Sequence, residues 1–138
     1  MKQKQISTYK RIFKEDENPN SNYLIKLLEI GDQIKIFHLQ TTGYASHIAL
    51  GGFYYQISNF TDSFIEKRIG LEGKRPTVNG QSISLKDFKQ EELIGYVNET
   101  LNYFKSLRKE VSGNTDLENL VDEIIGHTNQ LKYLLTLK

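Results

Sequence analysis

The stretch His47-Ile-Ala-Leu-Gly-Gly-Phe-Tyr-Tyr-Gln-Ile-Ser-Asn-Phe-Thr-Asp62-Ser-Phe-Ile-Glu66 decides how the chain is read. Advanced by about 100° per residue, it carries two faces. Leu50, Phe53, Ile57, Phe60 and Phe64 recur at steps of three and four, an apolar stripe that has to be buried. A second seam holds His47, Gly51, Ser58, Asp62 and Glu66, which are small or able to ligate a metal. Asp62 and Glu66 stand one helical turn apart, so two carboxylates can close on one cation. His47 is about 22 Å from Asp62 along such a helix, at roughly 1.5 Å per residue. A single chain therefore cannot bring the three to one ion from this helix alone. Two copies antiparallel across a two-fold axis can, with His47 of one facing Asp62 and Glu66 of the other. The seam predicts half of a shared site.

Composition sets the outer limits. With 138 residues the chain is one domain with room for a real core. A net charge of +1 creates no general demand for nucleic acid or an anionic membrane. The absence of cysteine excludes disulfides, thiolate metal sites and cysteine nucleophiles. No apolar run reaches the ~18 residues of a membrane span, and no apolar segment follows Met1-Lys-Gln-Lys-Gln5 as in a signal peptide. The expectation is a soluble protein without membrane partners, cytoplasmic, or virion-associated if phage-encoded. Pro19 and Pro76 are the only prolines and lie outside the periodic segments, which favours helices.

Outward from the central stretch the pattern predicts an all-α four-helix domain over 21–138, preceded by an arm over 1–20. In the arm, Lys2, Lys4, Lys10, Arg11 and Lys14 precede Glu15-Asp16-Glu17 and the breaker Asn18-Pro19-Asn20. Its basic half is a candidate for nucleic-acid phosphate. The acidic run favours a solvated tail, or one docked through Ile6, Tyr9, Ile12 and Phe13. The first helix is expected from about Ser21 to Thr42, ended by Gly43 at C′. Leu24, Leu27, Leu28, Ile30, Ile34, Ile36, Phe37 and Leu39 cover more than one of its faces, predicting burial by both core and partner subunit. The second helix runs to about Gly70, with Lys67 and Arg68 set against its C-terminal dipole. The tight corner at Gly43 places His38 and His47 at the same end of a hairpin.

Residues 71–84, broken by Gly73, Pro76 and Asn79-Gly80, form a connector long enough to return along the bundle and leave helices two and three parallel. The third helix is expected from Ser84-Leu-Lys-Asp87 to Glu110, burying Phe88, Leu93, Val97, Leu101, Phe104 and Leu107. Thr115-Asp-Leu-Glu118 reads as a capping box opening the fourth, which buries Leu117, Leu120, Val121, Ile124, Leu131 and Leu135. Short, long and short links describe a bundle with one crossover. Glu123 and His127 on the fourth helix have a chelating i, i+4 spacing, although His127 also adjoins the apolar stripe as a core-rim histidine would. Gly51-Gly52 predicts a close approach, by an aromatic neighbour or by a partner helix. No nucleophile–base triad, phosphate loop or dinucleotide fingerprint is present.

Through His38, His47, Asp62, Glu66 and the following Leu71-Glu-Gly73, the chain resembles the ferritin-like superfamily, and within it the Dps mini-ferritins. The resemblance covers about residues 21–137 and is most specific over 35–73. It implies a ferritin-like bundle in which His38 and His47 of one subunit join Asp62 and Glu66 of its two-fold partner. Such a site binds and oxidises Fe(II) with peroxide or dioxygen, a ferroxidase activity, and stores the mineral in a homo-oligomeric shell. Zinc or manganese also suits two imidazoles and two carboxylates. The sequence departs from the family in the shorter His38–His47 spacing, the shorter crossover, and Leu39 where a tryptophan is usual. The arrangement is also similar to that of phage-encoded proteins. The alternative is non-enzymatic: a virion-type structural or assembly protein built on this bundle, its site vestigial. Mid-height on helix two are Tyr54, Tyr55 and Ser58, so the intrachain di-iron site of the wider ferritins is not expected.

Overall fold

The computed structural model describes residues 19–138. The residues before Pro19, including most of the expected arm, lie outside the described part. Four helices and no strand are found among the described residues: α1 (Pro19–Gln40), α2 (Tyr44–Glu72), α3 (Gln90–Glu110) and α4 (Thr115–Leu134). The arm's expected boundary moves, since Pro19 and Asn20 already belong to α1. Proline suits a first helical turn, where its missing N–H has no partner to lose.

The stripe of the central stretch is the core of α2: Leu50, Ile57 and Phe64 have no exposed area, and Phe53 and Phe60 are buried. Each such side chain contributes roughly 1.5–3 kcal/mol on leaving water. Tyr23, Leu27, Ile30, Ile34 and Phe37 meet them from α1, Val97, Phe104 and Leu107 from α3, and Val121, Ile124 and Leu131 from α4. Helix α2 packs against α1 on one side and α4 on the other, and α3 packs against α4. Helix α3 also reaches α1 through rings, Phe37 being edge-on to Tyr96 at 5.4 Å. The Phe60 ring meets Phe104, and Arg68 pairs with Glu110 further along both helices. Helices α2 and α3 thus run in the same direction.

Three local expectations are corrected. Gly43 is not a left-handed C′ residue: its φ is −95°, and it is the N-cap of α2, its carbonyl accepting from His47 N. A left-handed glycine closes α2 instead, Gly73 (φ 76°), and that helix ends at Glu72, two residues later than expected. Helix α3 begins at Gln90, not at Ser84–Asp87, so the connector spans 73–89 and Phe88 packs from it, half-buried. The reason lies on α1. Buried Gln33 donates from Nε2 to Lys86 O at 2.9 Å and accepts from Lys86 N at 2.8 Å. Gln40, two turns on, accepts from Phe88 N and donates to Asp87 Oδ1. The two glutamine amides satisfy the extended backbone that would otherwise have to coil. At α4 the cap is Asn114, and Glu118 accepts from Gly113 N, so Thr115 does not act as the capping residue.

Candidate functional site: the histidine corner and its α2 seam

The α1–α2 corner brings His38 and His47 into contact. Each imidazole Nδ1 lies against the other residue's main-chain carbonyl: His38 Nδ1 to His47 O at 2.8 Å and His47 Nδ1 to His38 O at 2.9 Å. A carbonyl only accepts, so both Nδ1 atoms carry a hydrogen, and in the neutral rings the lone pair is on Nε2. The rings are stacked, with centroids 4.1 Å apart and planes inclined by 16°. Gly51 makes room for this pair: a Cβ there would stand 2.8 Å from His38 Cε1 and 3.0 Å from Nδ1. Of the two neighbours considered for the glycine pair, Gly51 thus has the aromatic one, the His38 ring. Gly52 has nothing within 4 Å.

Asp62 and Glu66 are exposed on α2, one turn apart, and neither has an ion-pair or hydrogen-bond partner among the described residues. The continuous helix from Tyr44 to Glu72 keeps them about 22 Å or more from His47 at ~1.5 Å per residue. Among the described residues no three His, Asp or Glu side chains gather where they could hold one ion. Glu123 and His127 are placed apart from these four, on α4, with His127 Nε2 4.0 Å from Glu123 Oε2. They line a groove between α2 and α4 that also holds Gln56, Asn59 and Ser63.

Sequence reasoning missed a second polar centre at the opposite end of the bundle. Arg68, expected at a helix dipole, is instead buried. Its Nε donates to Glu72 at 2.8 Å and its Nη1 to Glu110 at 3.2 Å, while the guanidinium lies 4.3 Å over the Tyr23 ring. Burial opposes its charge, but the bonds to Glu72 and the two carboxylates outweigh that and raise its pKa. Burial also raises the Tyr103 hydroxyl pKa beside it, as does Glu110. The signal available was Arg68 falling four residues after Phe64, in the line of the apolar stripe.

A family model matches residues 38–135, from His38 itself to just past α4, and it is described as a family of unknown function (DUF5856). This chain belongs to the DUF5856 family. The matched span holds all six candidate residues, from the histidine corner to the Glu123–His127 pair. No curated protein and no solved structure matches the chain. No helix among the described residues is long and apolar enough to cross a membrane.

Proposed function

We propose that this DUF5856 chain is a ferritin-like, Dps-type metal-binding protein whose site is completed across a two-fold dimer. The observation that carries the reading is the histidine corner, where two imidazoles are held through Nδ1 with both Nε2 atoms left to bind. Metal-ligating histidines are oriented in this way by a carbonyl on the other ring nitrogen. Two carboxylates without partners lie on the same α2 seam, and the donor set suits Fe(II) as substrate, with zinc or manganese as rivals. The register supports the two-fold. Setting His47 against Asp62 of a second, antiparallel α2 puts Tyr54 and Tyr55 at the axis. The long connection between parallel helices α2 and α3 agrees with a ferritin-like topology.

The test uses two variants of the full chain, Asp62→Ala/Glu66→Ala and His38→Ala/His47→Ala, titrated with Fe(II) and Zn(II). Each pure variant loses binding. Mixed dimers regain one of their two sites, because one end of the interface keeps all four ligands. Pure variants that bind at the unmodified stoichiometry overturn the shared site. One observation favours a second reading, a structural or assembly protein with a vestigial site. In-plane lone pairs on near-parallel rings 4.1 Å apart cannot converge on one ion at ~2.1 Å until a ring tilts. Under that reading the unmodified dimer binds no metal.

A further inference from the structure

The groove between α2 and α4 shares no residue with the metal site proposed above, and its chemistry stands apart from that reading. The start of α2 lies beside the end of α4, and between them is a cavity of about 400 Å³. Ile48, Phe53, Leu131, Leu134 and Leu137 give it an apolar wall. Small-molecule sites have this volume and this wall, with a few polar groups converging at one end to fix the ligand. Such groups are present. Gln56 and His127 line both this cavity and a smaller one of about 200 Å³ beside it, and Gln130 joins them from α4. Neither glutamine side chain is hydrogen-bonded among the described residues, and His127 has only Glu123, at 4.0 Å.

Gly52 holds the cavity open, since a Cβ there would meet nothing within 4 Å. The His38 ring explains Gly51, but no protein atom requires a glycine at 52. A side chain at that position would take up the space that a ligand needs. Charge selects the ligand's head group. A carboxylate at the Gln56–His127 end would meet Glu123, and an ammonium would compete with His127 for the same carboxylate. Two amides and an imidazole offer donors and acceptors alike to an uncharged hydroxyl. We propose that the α2–α4 groove binds a small neutral amphiphile, an alcohol or a phenol. Its hydrocarbon body lies against Ile48, Phe53 and Leu131, and its hydroxyl sits between Gln56 and His127.

The test titrates the full chain with hexanol, hexanoate and hexylammonium, followed by amide NMR and calorimetry. Hexanol saturates, with shifts confined to the groove, and binds roughly tenfold or more tightly than either ion, whose charge is costly to bury. Gly52→Leu fills the cavity without pressing on protein atoms, so it keeps the helical circular dichroism of the parent and loses hexanol binding. Gln56→Leu combined with His127→Leu weakens hexanol about tenfold by removing the partners of its hydroxyl. The proposal is overturned by hexanol that never saturates, by equal affinity for the three probes, or by a folded Gly52→Leu variant that binds hexanol as the parent does.

Discussion

Gly51 and Gly52 are adjacent in sequence and have opposite surroundings. At Gly51 a methyl group would press on a ring that cannot swing away without losing its bond to His47 O and its stack on His47. The gain of about 1 kcal/mol in helix propensity is then outweighed by ~1–3 kcal/mol of overpacking. Gly51→Ala is therefore expected to lower stability by about 1 kcal/mol and to shift the NMR signals of both imidazoles. Gly52→Ala, with open space above it, should raise stability by up to ~1 kcal/mol and leave those signals in place. Chemical denaturation of both variants decides this, and equal effects would show that the His38 ring is not what demands the glycine.

The clamp on the connector operates at the scale of elements. Gln33 is buried and makes both of its bonds to the backbone of Lys86, holding the end of the connector against α1 and postponing α3 to Gln90. Gln33→Ala leaves a peptide N–H and C=O without those partners, at a cost of about 2 kcal/mol. Amide exchange at Lys86 and Phe88 should rise in that variant more than at Leu93 within α3. If these two amides keep their protection, Gln33 is not what fixes the connector. The link has a consequence for the site as well. Gln33 and Gln40 flank Phe37 and His38 on α1, so one helix holds the connector on one face and presents an imidazole to α2 on another.

For the whole molecule, about half of the large apolar side chains left exposed among the described residues lie on α1 and α2. Leu28, Leu39, Tyr44, Ile48 and Tyr55 are all exposed, Tyr55 by 70%. A face of this kind is what the proposed two-fold would cover. Light scattering at tens of micromolar is expected to show a dimer or larger assembly. Tyr55→Glu, at the expected axis, should yield a monomer whose unfolding free energy stays within about 0.5 kcal/mol of the parent fold. A parent that is already monomeric removes the interface, and the shared metal site with it.

The sequence by itself determined the number of helices, the buried stripe of α2 and the meeting of His38 with His47. These follow from periodicity and from one short corner, which are local in the chain. It could not determine where α3 starts, because Ser84–Asp87 is a sound helix opening when read alone. The competing partners, Gln33 and Gln40, lie some fifty residues away. Nor could it place Arg68, whose charge argues for solvent until Glu72, Glu110 and the Tyr23 ring are assembled around it. The reason for Gly51 likewise needed the His38 ring in position. Backbone periodicity is written in neighbouring residues; the satisfaction of buried polar groups depends on what the fold brings from a distance, and only the tertiary structure decides it.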